Sequence, residues 1–498
     1  MTAPPSPAAP DPGGSSPRGP GAGPDPRTRV LRRQLIAWLS LGVFLICVVW
    51  SGPLARAILQ VAARDVRPDP VVRASTEIEL IGRVQLGLET LASGANPAFD
   101  PRQLAEFLSG LDEAALGDAA TYERFAVQQL RAIAVAAEFL GAEFGAENLV
   151  PLLTADPEEL PEGLGDDARL LALVYAEGAD TLTDAEHERL SDRHGWIGRL
   201  GASFGLPDDH PRRAPVVAAA LRSVTGVGLI TVVGIAGVAA GMALFVVAAV
   251  LAARGRLRPA YHPDRDLSGA RHTAFLETVA LFFGGLAALN IAGAVLVASS
   301  GPGGLSPGVA LGAFVAQWGL LLPAFWPLLR GVTWGELTRG LGWTRGKGVA
   351  RELAMGIVGY VAGVPVIAIG ALLTLLIAWL FGQTPSHPIT EGGDRGWAAV
   401  LMMYALAAVW APIVEETIFR GAFYHHLRRW MGPAATAIVV ALVFAVAHPQ
   451  GLAAVPALTS IALVFAGLRE WRGSALGAIA AHAVHNAAIV SLFVLVLM

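Results

Sequence analysis

Residues 224–252 read VTGVGLITVVGIAGVAAGMALFVVAAVLA, an apolar run with no charged side chain, longer than the roughly 20 residues a helix needs to cross a bilayer's hydrocarbon. Similar runs recur near 274–298, 309–329, 353–381, 399–427, 434–452, 455–468 and 474–497, and the 455–468 run is short enough to be re-entrant. One more, Leu35 to residue 52, follows a basic cluster of Arg27, Arg29, Arg32 and Arg33 and reads as a signal anchor. A cleaved signal peptide, with Ala55 and Ala57 as its small-x-small site, is the competing reading. The pattern predicts an all-α, polytopic helical membrane protein of about 8–9 spans. The composition agrees: of 498 residues 54% are hydrophobic and 15% charged, where soluble domains carry about a quarter charged. A net charge of -4 gives no basic field for a polyanion, so nucleic acid is excluded as a main partner. Cys47 is the sole cysteine, which excludes an intrachain disulfide and any cysteine-based zinc or redox motif.

Outward from the spans, five segments separate. Residues 1–34 form a Pro/Gly/Ser-rich, disordered cytoplasmic tail ending in the basic anchor, and 35–52 form the first transmembrane helix. Residues 56–213 alternate Ala/Leu with Asp/Glu at helical spacing and read as a soluble helical domain, broken at Pro157 to Gly165 and Leu206 to Pro211. Residues 215–396 form an accessory bundle, and 397–498 carry the polar clusters. Arginines fix the orientation: Arg254, Arg256, Arg258, Arg265 and Arg271 mark one loop, Arg330, Arg339, Arg345, Lys347 and Arg351 another, then Arg428 with Arg429 and Arg469 with Arg472. The positive-inside rule makes these loops and the N-terminus cytoplasmic and the 56–213 domain extracytoplasmic, in the cell (inner) membrane, with an extracytoplasmic partner for that domain an open reading.

Ionisable groups inside spans cost about 2.5 to 3.5 kcal/mol each on insertion scales, so they mark function. Three clusters occur: Glu415, Glu416 and Arg420 in WAPIVEETIFRGAFYHHLRRW; His448 in VFAVAHPQG; and His482, His485 and Asn486 in AIAAHAVHNAA. Glu416 and Arg420 stand at i, i+4, the spacing of an intrahelical ion pair, which leaves Glu415 pointing elsewhere as a free base. Phe444 and His448 stack at the same spacing, as do His482 and Asn486. At about 1.5 Å per residue, Glu415 lies roughly 20 Å from Arg428, His448 roughly 22 Å from Pro433 and His482 roughly 15 Å from Arg472, so the three clusters can share a level. This requires one helix through Glu415 to about residue 427, kinked near Pro412. Taken singly the residues have blander readings: an interfacial charge cluster at Glu415 and Glu416, a helix-end histidine at His448. His425 and His426 with Arg428 and Arg429 read as a cytoplasmic face. Trp38, Trp50, Trp397 and Trp471 read as interfacial anchors.

A carboxylate, two histidines and an asparagine meeting in a bilayer suit amide hydrolysis, with a base for water and donors for an oxyanion. In order, EETIFR, FAVAH and HAVHN resemble the EExxxR, FxxxH and HxxxN motifs of the CPBP intramembrane proteases, the CAAX prenyl endopeptidase and bacteriocin-processing family. The resemblance implies a catalytic core at 397–498 hydrolysing a membrane-associated or lipid-modified peptide or protein. By it, Glu415 and His448 activate water, His482 and Asn486 stabilise the oxyanion, and Glu416, Arg420 and Phe444 organise the site; His485 fills a variable position. The family is often labelled metalloprotease. With no HExxH motif, zinc stays an open alternative that would fall to Glu415, His448 and His482. Two rivals are a non-catalytic membrane scaffold or immunity protein binding a partner through the outer domain, and a proton-coupled transporter. The transporter would need a matching polar cluster in the earlier spans, where Glu277 and Asn290 are the only notable polar residues.

Overall fold

The computed structural model describes residues 26–62, 75–91, 119–156, 160–264, 267–299, 306–381 and 397–497, and every regular element among them is helical. Helix α1 spans Pro26–Ala62, so the basic cluster lies inside the anchor helix and not before it. Residues 1–25, read as part of a disordered tail, lie outside the described residues.

The outer helices are α2 (Ser75–Leu91), α3 (Ala119–Leu140), α4 (Ala142–Thr154), α5 (Leu164–Glu177) and α6 (Asp184–Ala202). Leu130, Leu149, Leu164, Leu171, Leu190 and Trp196 form their common core. The break expected at Leu206 to Pro211 falls between helices; that at Pro157 to Gly165 runs into the first turn of α5, and its residues 157–159 lie outside the described residues. Thr183 and Glu186 close a capping box at the start of α6. Asp167, wholly buried, accepts from Arg189 Nε (2.9 Å), Arg193 Nε (2.6 Å) and His194 Nε2 (3.0 Å), tying α5 to α6. Burial pushes the Asp167 carboxyl up, but the hydrogen bonds and charges of His194 and Arg193 outweigh it and hold the group below the usual carboxylate range. Burial likewise pushes His194 down, favouring its neutral form.

Helix α7 (Ala214–Ala253) enters the membrane part, followed by α8 (Gly269–Ser299), α9 (Pro307–Gln317) with its tighter continuation to Leu329, a short α10 (Trp334–Leu341) and α11 (Val349–Leu380). Then come α12 (Trp397–Arg428), α13 (Pro433–Val446), α14 (Val455–Arg472) and α15 (Leu476–Leu497). Among the described residues, 8 helices are long and apolar enough to cross a membrane. The short one is α13, about 21 Å at helical rise, and not the 455–468 segment, which extends to Arg472 and reaches spanning length. Pro449 follows the end of α13 closely, and a proline's missing N–H and restricted neighbour stop the helix there.

Small residues set the packing. Gly356, Gly359, Gly363 and Gly370 of α11 leave no room for a Cβ against Gly477, Leu468, Val464 and Ser460, so α11 seats directly on α14 and α15. Helix α1 lies along α8, with Phe44 against Gly284 and Arg33 Nη2 paired to Glu277 Oε1 at 2.9 Å. Arg330 and the Trp326 indole also reach Glu277, so that polar residue is a structural junction.

Candidate active site

Helix α12 runs unbroken through the glutamates, as convergence of the three clusters requires. It accommodates Pro412 by widening: residues Ala405–Trp410 and Thr417–Phe423 make π-helical turns on either side of an α-turn at Ala411–Glu416. In the π register the donor for the Ala407 carbonyl is five residues on, at Pro412, which has no N–H. Asn486 Nδ2 of α15 donates to that carbonyl at 2.7 Å.

Glu416 and Arg420 are both fully buried, with Arg420 Nη1 2.9 Å from Glu416 Oε1. His482 Nδ1 lies 2.9 Å from the same oxygen, so the carboxylate joins α12 to α15. Arg420 Nη2 donates to the Ala462 carbonyl at 3.1 Å, and its guanidinium sits over Phe444 (4.7 Å) and Phe465 (5.2 Å). The His482 ring stacks on Phe465 and meets the edge of Phe444. Phe444 also covers His448, ring centres 4.3 Å apart.

Glu415 turns away from this triad. Its Oε2 faces His448 Nε2 at 3.8 Å and has no hydrogen-bond partner. His448 lies in the turn beyond α13, where its Nδ1 is 2.7 Å from the Phe444 carbonyl. A carbonyl only accepts, so Nδ1 carries a proton, and in the neutral ring Nε2 presents a lone pair to Glu415. In that form two acceptors oppose each other across a gap that a donor with two hydrogens can bridge. Stacking of Phe444 on His448 matches the sequence spacing, although the histidine is past the helix end and not within it.

His485 faces the other way, with its Nδ1 3.0 Å from the Tyr360 hydroxyl of α11. His425 and His426 do not form a cytoplasmic face: both are buried, at 4% and 1% exposure. His425 Nδ1 is hydrogen-bonded to Tyr261 (2.8 Å), and both rings pack on His272, because α8 and the 256–264 loop cover that side of α12. Trp38, itself exposed, has its ring edge-on to Phe423 and His426. Sequence reasoning also missed three buried charges near the arginine-rich end. Glu352 is paired twice to Arg472 at 2.7 Å, and Glu470 binds Arg428 (3.0 Å) and the Tyr424 hydroxyl (2.7 Å). Arg469 spends its donors on the backbone carbonyls of Arg420, Arg339, Gly340 and Gly473. All three lie just outside the apolar runs read as spans, where a charge is expected to face water, so the sequence carried no signal of their burial.

A zinc site on Glu415, His448 and His482 fits poorly. Among the described residues no three His, Cys, Asp or Glu side chains are grouped to hold a metal ion. No step below runs through a metal.

Residues 397–488 match the family model for the Type II CAAX prenyl endopeptidase Rce1-like proteins. The match spans α12 to α15 and supports the CPBP family of membrane proteases for that segment, leaving the outer helices and the first membrane helices outside it. No curated protein and no solved structure matches the chain.

Proposed function

We propose that this protein is an intramembrane endopeptidase that hydrolyses a peptide bond in a membrane-associated or lipid-modified peptide or protein. The observation that carries the reading is the opposition of Glu415 Oε2 and His448 Nε2, two acceptors 3.8 Å apart in the segment that matches the protease family.

Water donating one hydrogen to each acceptor would be held with its lone pair free for a carbonyl carbon. As it attacks, Glu415 takes the proton, the carbonyl oxygen becomes an oxyanion, and the C–N bond breaks as that proton passes to the leaving amine. Asn486 has one amide hydrogen on Ala407 and a second available for the oxyanion. His482, held by Nδ1 on the Glu416 carboxylate, has Nε2 left to face the oxyanion. Glu416 and Arg420 act as positioning residues. The positive-inside rule, applied to the arginine-rich loops, favours a cytoplasmic N-terminus with the outer helices on the far side of the cell membrane.

The test is cleavage of a quenched peptide library, bare and lipid-modified, by the purified full-length protein in detergent, beside Glu415→Gln and His448→Ala. Cleavage by the wild type and loss in both variants supports the reading. Equal cleavage by all three assigns the activity elsewhere, and no cleavage by any favours the non-catalytic scaffold.

A further inference from the structure

At the arginine-rich end of the bundle, helices α13 and α14 part to form an open cleft of about 290 Å³. Its floor is Ala434 and Ala437 on α13 and Leu463 and Gly467 on α14, and its rim is Arg258 and Trp471. Ala434 and Gly467 are exposed, and a Cβ at Gly467 would meet nothing within 4 Å, so the cleft opens on the outer surface of two membrane helices. The rim is fixed in place: the Ala260 and Tyr261 amides both donate to the Glu470 carbonyl at 3.1 Å, locking the Arg254–Ala260 loop over the end of α14.

Charge at this rim is one-sided. Arg254, Arg256 and Arg258 are exposed, and among the described residues no carboxylate pairs with any of them. Arg258 spends only Nε, on the Gly255 carbonyl at 2.9 Å, which leaves the far end of its guanidinium for a ligand. Glu470, the one acidic residue lining the cleft, is neutralised by Arg428 and capped by the Tyr424 hydroxyl. An apolar slot on the lipid-facing side, topped by the Arg258 guanidinium and an indole, with Arg254 and Arg256 on the same loop, matches one amphiphile in its surroundings. We infer that this cleft is a binding site for an anionic phospholipid, with one acyl chain between α13 and α14 and the phosphate on Arg258 and its neighbours. The site is separate from the Glu415/His448 pair, and the inference does not depend on proteolysis.

The experiment is native mass spectrometry of the purified full-length protein, released from detergent containing equal phosphatidylglycerol and phosphatidylcholine with identical acyl chains. Wild type should retain phosphatidylglycerol in preference. An Arg254→Gln, Arg256→Gln, Arg258→Gln triple variant should lower that retention at least about tenfold, given about fivefold per arginine near a membrane surface. Gly467→Phe fills the slot without a backbone clash and should abolish the preference while all three arginines remain. Equal retention of the two lipids by wild type overturns the inference. So does a preference that survives Gly467→Phe, which would show surface charge without a chain site, or one that survives the triple variant. Unfolding midpoints measured alongside exclude misfolding as the cause of any loss.

Discussion

Replacing Glu415 and Glu416 by glutamine, one at a time, should separate two adjacent carboxylates by what each is holding. Glu416 is fully buried and its Oε1 accepts from both Arg420 Nη1 and His482 Nδ1 at 2.9 Å. At an effective dielectric of about 20, a pair of unit charges at that distance is worth about 6 kcal/mol before desolvation. Glu416→Gln keeps an acceptor oxygen but removes the countercharge of a fully buried guanidinium, whose other contacts are the Ala462 carbonyl and the Phe444 and Phe465 rings. Breaking a buried pair in this way costs about 3–5 kcal/mol, a large share of a typical folding free energy of about 5–15 kcal/mol. Glu415 is different: its Oε2 accepts no hydrogen bond, and the Nε2 of His448 lies 3.8 Å away. Glu415→Gln removes a charge from an apolar bundle and should leave the unfolding midpoint unchanged or raised. It should also lower peptide cleavage by about 10²–10⁴-fold, the usual worth of a positioned general base. Thermal unfolding in detergent and a cleavage assay on the same preparations read both quantities. Equal destabilisation by the two variants, or substantial cleavage by Glu415→Gln, would refute the division of roles.

Asn486→Leu should lower stability by about 1–3 kcal/mol, because it leaves the Ala407 carbonyl without a donor in a turn where Pro412 supplies none. Asn486→Ser, which can still donate, should recover part of that loss in the unfolding midpoint. Cleavage should be insensitive to zinc chelation, since among the described residues no three His, Cys, Asp or Glu side chains are grouped to hold a metal ion; loss with a chelator and recovery with zinc would reverse that assignment. In the outer helices, both Asp167 and His194 titrate below their unfolded values, so the unfolded state binds more protons on acidification. Their stabilisation should be complete above about pH 6.5. The His194 share is lost as pH falls from there to its lower folded value, and the Asp167 share persists until pH falls below about 4, vanishing through its own depressed value. Hydrogen exchange of α5 and α6 amides against pH reads this directly, and protection rising on acidification below pH 6 would contradict it.

The spans and the intrahelical pairs were legible in the sequence because both depend on local spacing. Glu416 with Arg420 and Phe444 with His448 follow from four-residue separation alone. The His482 link to Glu416 was not legible, since nothing in a sequence sets the rotation of α15 against α12. His425 and His426 misled for a related reason. Position beside Arg428 and Arg429 marks a membrane boundary, but exposure depends on α1, α8 and Tyr261, which come from remote parts of the chain. The reading of α13 erred by continuing a periodic apolar pattern through His448, when the proline at 449 already argued for an end.

The outer helices and the membrane core share one element, and that bears on how the outer domain's role can be tested. Helix α7 runs for 40 residues, about 60 Å, or twice the hydrocarbon thickness. Its first turns give Val216, Ala219 and Ala220 to the outer core, where the Trp196 indole donates to the Val216 carbonyl at 3.0 Å. Further along, Gly226 lies against the Leu495 carbonyl of α15 and Gly241 against the Val361 carbonyl of α11. Deleting residues 56–213 would therefore uncover an apolar face on α7 and loosen a helix that rests on the carrier of His482 and Asn486. Lost cleavage in such a deletion would not distinguish substrate selection from damage to the core. Charge reversals on exposed outer residues, such as Glu188 or Asp192 on α6, leave α7 buried as it is. A change in which peptides are cleaved, at unchanged rate for a short generic peptide, would then assign selection to the outer surface; unchanged preference across such a set would remove it.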